Sequence, residues 1–144
     1  MSLANNKNLL RRYYEEVVST GAVEMLPQYV APDYVEVHGN TRHAIGLDGA
    51  KQHILGVLRT YPDLRLTVEQ QIAEGDWVVS RVTMRGTHRG EWLGMKPTGR
   101  SIEVTAVNID RVVGGRIVEH GGAADLLGPL LASGAIRVAD GGGG

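Results

Sequence analysis

The chain has 144 residues, a formal net charge of −1, no cysteine and no phenylalanine. That length fits one domain with a core that needs no disulfide or metal to hold it. The missing thiols exclude disulfides, zinc–thiolate sites and cysteine nucleophiles; the mixed, near-neutral charge argues against a nucleic-acid partner; no apolar run approaches the roughly 20 residues of a membrane span.

Residues 6–18 carry Leu9, Leu10, Tyr13, Tyr14, Val17 and Val18 at spacings of three and four, which predicts a helix. Asn5 or Asn6 caps its start and Ser19-Thr20-Gly21 ends it. A short second helix follows, with Met25, Leu26, Tyr29 and Val30 on one side, closed by Pro32. Tyr34 to His38 alternates as a strand, with Tyr34, Glu36 and His38 on one face and Val35 and Val37 on the other. Asn40 to Gly46 reads as a polar loop, and residues 48–59 as a helix with Ala50, Ile54, Val57 and Leu58 inward.

The remainder is mostly strand. Leu64, Leu66, Val68 and Ile72 alternate with polar residues, and Glu74-Gly75-Asp76 is a turn. Trp77 to His88 is a long strand with Val78, Val82 and Met84 on one face. A glycine- and proline-containing connection, Arg89 to Arg100, leads to a strand over Ser101 to Val113. Gly114-Gly115 then turns into Arg116 to Gly122, and a short apolar helix holds Leu126, Leu127, Leu130 and Leu131. A plain two-residue turn puts Asp110 beside Glu119; an added bulge puts His120 on the face of Ala106, Asn108 and Asp110. Both remain open, because two glycines permit either turn. Helices first and antiparallel strands afterwards give an α+β class, with helices on the concave side of a curved sheet and a cleft between. A single domain over residues 1–136 and a disordered tail over 137–144 are expected. The N-terminus lacks the pattern of a signal peptide, so a cytoplasmic protein is expected.

Several stretches carry a family resemblance. The run from Gly86-Thr87-His88 through Trp92 to Pro97-Thr98-Gly99-Arg100 is one. Asn108-Ile109-Asp110-Arg111 followed by Gly115-Arg116-Ile117-Val118-Glu119-His120 is another. Pro32-Asp33-Tyr34, Tyr61-Pro62-Asp63-Leu64 and Gly75-Asp76-Trp77-Val78-Val79 complete the set, from about Leu9 to Gly134. In this order they resemble the SnoaL-like polyketide cyclases of the nuclear-transport-factor-2-like superfamily. The resemblance implies a cone-shaped antiparallel sheet packed on three N-terminal helices around a pocket. It also implies the bulged register and a homodimer or higher homo-oligomer through the outer sheet face. In that family an aspartate after the last hairpin strand is the general acid/base of an aldol closure. A histidine and a glutamine on the preceding strand steady the enolate, and a first-strand asparagine lines the site. Those positions fall here on Gly122, Asn108, Ala106 and Glu36, so the roles do not carry over.

Glu36, His38 and Asp125 are the candidate catalytic groups, and Asn108, His120, His88 and Trp92 the candidate ligand contacts. Glu36 and His38, two apart, either line the cleft or form a polar outer face. Asp125 is either a base in the cleft or the cap of the last helix. Asn108 is a candidate oxyanion donor, Asp110 and Arg111 form a structural ion pair, and Trp92 and Met95 either cover the pocket or pack their loop. No spacing gathers three or four metal ligands, so no metal and no cofactor is expected. The chemistry this implies is cofactor-free proton transfer on a hydrophobic, enolisable molecule: cyclisation, isomerisation or dehydration. The rival reading is a domain that only binds such a molecule, its acid/base aspartate replaced by Gly122.

Overall fold

The computed structural model describes residues 2–92 and 94–139. Of the expected tail, residues 140–144 lie outside the described residues, and residues 137–139 are exposed and without regular structure. Helix α1 (Leu3–Arg12) starts before the asparagines, because the Ser2 hydroxyl accepts the Asn5 N–H at 2.9 Å. It widens into a π-helical turn, Tyr13–Val18, with bonds from Ser19 N–H to the Tyr14 carbonyl and from Ala22 N–H to the Val17 carbonyl. That turn buries Tyr13, Tyr14 and Val17 together. Such π insertions occur often at functional sites.

Helix α2 (Leu26–Tyr29) runs straight into strand β1 (Val30–His38), so Pro32 sits inside a strand rather than closing a helix. It falls where the strand's register shifts, between Val30 and Val35, a stretch that tolerates its missing N–H. The expected loop after His38 contains strand β2 (Thr41–Ala44), turned back by Gly39 at φ 61°. All four β2 residues are exposed, so no apolar alternation signals them. Helix α3 (Gly46–Thr60) buries Ala50 and Ile54 but leaves Val57 39% exposed.

Strands β3 (Arg65–Glu74), β4 (Trp77–Thr87), β5 (Ser101–Val113) and β6 (Arg116–Ala124) complete one sheet, in the order β2-β1-β6-β5-β4-β3. Among the described residues only the β1–β6 pair is parallel. Helix α4 (Leu127–Ser133) follows. The α+β class is as expected. The core joins Leu10, Tyr13, Tyr14 and Val17 to Val68, Val78, Val82, Val112 and Ile117 of the sheet, with Ile54 and Tyr34 beside them.

Two bulges set which side chains face this core. In β3 the register slips between Val68 and Gln70, so Ile72 turns outward, 60% exposed, instead of inward. In the last hairpin Gly114-Gly115 is a two-residue turn, and β6 then gains one residue: Val112 pairs with Ile117 but Arg111 pairs with Glu119. The hairpin therefore has the plain turn and the bulge together, and His120 faces inward beside Asp110.

Ile117 has no exposed surface. Ile117→Ala is expected to destabilise the fold by about 2–5 kcal/mol, through lost transfer energy and the cavity left behind. A lower urea midpoint with an unchanged m-value checks this.

Candidate active site

Four adjacent strands bring four titratable side chains into one row. Cross-strand partners run His43–Glu36 on β2 and β1, Glu36–His120 on β1 and β6, and His120–Asp110 on β6 and β5. Imidazole and carboxylate alternate, and His120 sits between two carboxylates.

Asp110 has no exposed surface. A carboxylate so placed needs donors at both oxygens. Tyr14, set inward by the π turn, donates its hydroxyl to Oδ2, and His120 Nδ1 lies 2.6 Å from Oδ1. A carboxylate only accepts, so Nδ1 carries the hydrogen and Nε2 keeps the lone pair. The His120 side chain is 27% exposed. Burial by itself would lower the pKa of this imidazole. The charge and hydrogen bond of Asp110, with the charge of Glu36, outweigh burial and raise it above the ordinary value.

Glu36 is held in a parallel way. Tyr34 donates to its Oε2 at 2.9 Å, while His53 Nδ1 of α3 and His38 Nε2 lie 2.7 and 3.3 Å from Oε1. Burial first, then the carboxylates of Asp110 and Glu36 and, for Tyr34, the neighbouring Tyr13, push the hydroxyls of Tyr13, Tyr14 and Tyr34 above the usual phenol range. All three stay neutral, and Tyr14 and Tyr34 act as donors. The arrangement offers a partly exposed imidazole backed by a sealed carboxylate, and a second carboxylate with its own, more exposed histidines one strand away.

Residues 8–132 match the sequence model of the SnoaL-like polyketide cyclases. The chain belongs to that family. It is 30% identical over 115 residues to nogalonic acid methyl ester cyclase of Streptomyces nogalater, covering 78% of this chain and 85% of the relative. It is 29% identical over 109 residues to aklanonic acid methyl ester cyclase AcmA of Streptomyces galilaeus, covering 73% and 74%. Among solved structures, TsrD of Streptomyces laurentii superposes with a TM-score of 0.83 at 26% identity, covering 94% of this chain and 99% of that one.

Within the SnoaL-like frame, the expected site residues separate. Glu36 is buried and His38 lies at its edge, 62% exposed, so the strand face they share points inward. Asn108 faces the same way, half-buried, one rung from Asp110 and opposite Gly122. A Cβ on Gly122 would lie 2.5 Å from the Val107 carbonyl oxygen and 2.6 Å from Asn108 Oδ1, so an aspartate has no room there. Asp125 lies apart. It is exposed beyond β6, its N–H donates to the Thr105 carbonyl, and α4 is capped at Leu126 without a side-chain bond. The cap read for Asp125 is not formed, and its side chain stands apart from the row of Glu36, His120 and Asp110.

His88 and Trp92 are also elsewhere. They border a cavity of about 370 Å³ between the β4–β5 connection, the start of β5 and α4. Arg111 pairs with Asp76 at 3.6 Å on the outer face, not with Asp110. Tyr14, Asp110, Tyr34, His43 and His53 are members of the site that sequence reasoning did not assign to it. The odd spacing of a charged residue on the inward face of a strand was the available signal for Asp110. No group of three metal-ligating side chains is arranged to hold an ion among the described residues, and no described helix is long and apolar enough to cross a membrane.

Asp110→Asn is expected to lower the His120 pKa, because burial remains while the Asp110 charge is gone. NMR titration of the His120 ring checks this. The raised pKa also links to stability. The pair's contribution is complete below about 6.5 and is lost as pH rises through the folded-state value. The wild-type melting temperature should fall across that window, and His120→Gln should lack the step.

Proposed function

We propose that this chain is a cofactor-free cyclase that closes a ring on a hydrophobic, enolisable polyketide by general acid/base proton transfer. The buried Asp110–His120 pair carries this reading. His120 Nε2 takes a proton from a carbon next to a carbonyl. The resulting enolate carbon bonds to a second carbonyl carbon, whose oxygen becomes an alkoxide, and His120 returns the proton to it. Asp110 holds the ring's orientation and offsets its positive charge, as a carboxylate behind a catalytic imidazole does. Asn108 is placed to donate to the enolate oxygen. Glu36, held by Tyr34, His53 and His38, adds its negative charge to that of Asp110 beside His120. Asp125 has no part.

The family supports cyclisation over isomerisation or dehydration, since the two relatives above are named as methyl ester cyclases. The outer sheet face supports self-association. Ile72, Val79, Ile109, Gly121 and Val37 form one row across five strands, with Ile72 and Ile109 60% and 45% exposed. A homodimer through this face covers the row.

Nogalonic and aklanonic acid methyl esters are the test substrates. His120→Gln and Asp110→Asn should each lower kcat about 10²–10⁴-fold with little change in ligand affinity. Wild-type kcat should rise with pH, with an apparent pKa above about 6.5, because the base must be neutral. Gly122→Asp should not restore the activity of His120→Gln. Tight binding of both esters without turnover by the wild type would favour the binding-only reading. Ile109→Glu should convert a dimer to a monomer in sedimentation analysis.

A further inference from the structure

Tyr13, Tyr14 and Tyr34 are buried beside the same two carboxylates, and two of their hydroxyls are used. Tyr14 donates to Asp110 and Tyr34 to Glu36. The other carboxylate oxygens are taken as well: Asp110 Oδ1 by His120, and Glu36 Oε1 by His53 and His38. Tyr13 is left over. It is 6% exposed, and its hydroxyl has no hydrogen-bond partner among the described residues. The polar side-chain atoms sealed without a partner are Asn6 Oδ1, the Tyr61 hydroxyl and His88 Nε2. The Tyr13 hydroxyl differs from these in keeping accessible surface, so a ligand in the cleft can reach it.

Its place is fixed on two sides. The ring packs against Tyr14 and Tyr29, with centroids 5.5 and 6.1 Å away. The charges of Asp110 and Glu36 both act on its hydroxyl. Those two residues are the cross-strand partners of His120, one on each side, so the hydroxyl lies over the row whose centre is His120. Tyr13 approaches from the helical wall, through the π turn, whereas Asn108 belongs to the sheet. Burial and the two charges keep the phenol neutral, and therefore a donor. A largely buried donor with no acceptor of its own calls for one.

We infer that Tyr13 donates a hydrogen bond to the ligand oxygen on which negative charge appears during ring closure. The identity of that oxygen rests on the cyclase reading. The enolate carbon bonds to the second carbonyl carbon, and the carbonyl π pair moves onto its oxygen. The Tyr13 O–H donates to the alkoxide so formed. Tyr13 keeps its own proton, and the proton that His120 took neutralises the alkoxide. Asn108 serves the enolate oxygen, so each of the two oxygens has a donor, one from each wall. A donor already in place needs no reorientation as the charge develops.

The test pairs activity with stability. Tyr13→Phe removes only the hydroxyl. With nogalonic and aklanonic acid methyl esters, kcat/KM should fall about 10²–10³-fold, at most about tenfold of it in KM. The apparent pKa of kcat should stay at the wild-type value, because His120 and its partners are untouched. The melting temperature of the ligand-free chain should be unchanged or higher, since no bond to the protein is lost. Tyr14→Phe and Tyr34→Phe, which each lose a bond to a carboxylate, should lower it. A melting temperature of Tyr13→Phe that falls as far as theirs gives the hydroxyl a structural partner and overturns the inference. Full turnover by Tyr13→Phe beside an inactive His120→Gln also overturns it, and leaves the cyclase reading standing. If the wild type binds the esters without closing the ring, the cyclase reading fails and affinity decides on Tyr13. Binding about tenfold weaker in Tyr13→Phe, the scale of one hydrogen bond, then supports the donor, and equal binding overturns it. Neither binding nor turnover of either ester by the wild type overturns both.

Discussion

A carboxylate with no exposed surface is tolerated only where donors meet it, and Asp110 sets that condition on three separate elements. Tyr14 comes from the helix, His120 from the neighbouring strand, and both must reach the same side of the sheet as Asp110. The π turn satisfies the first requirement by burying Tyr13 and Tyr14 together. The one-residue bulge in β6 satisfies the second. Without that extra residue His120 would point at the outer face, and Asp110 would be buried beside Glu119, a second negative charge. The register of the hairpin and the burial of the carboxylate therefore enforce one another.

The class and most elements were legible because they follow from period alone. The helical stripe from Leu9 to Val18 and the alternation of Val78 and Val82 appear in the structure as read. What escaped was whatever depends on a neighbour. Strand β2 has no buried residue to betray it, being held by backbone pairing to β1. Ile72 continued an alternation that a bulge had already reversed. Asp110 looked like half of an ion pair with Arg111, although adjacent residues on a strand face opposite sides. The row from His43 to Asp110 draws on four strands. No spacing along the chain encodes it. Alternation put Glu36 and His38 on one face but left open which way that face points, and the cap read for Asp125 does not form, since α4 starts after Leu126.

Gly122 bears on the chemistry more than a missing side chain would. The backbone of β5 approaches so closely there that no Cβ fits beside the Val107 carbonyl and Asn108. A strand that closes in this way has committed the position to glycine. In the mechanism proposed above the acid/base group comes instead from elsewhere on the same face, where, two residues before Gly122, the chain presents His120.

The contrast in exposure between the two partners decides what that histidine can do. Asp110 is sealed, both oxygens taken, so it exchanges no proton with a ligand directly. His120 keeps an open edge, and its engaged nitrogen fixes which atom that edge presents. A sealed carboxylate raises the basicity of the ring without offering a competing site for the proton. Glu36, on the other side, adds to the same pull from a distance while its own oxygens are occupied by Tyr34, His53 and His38. Two charges thus act on one titrating atom, Nε2, and the inward face of the sheet presents a directed base.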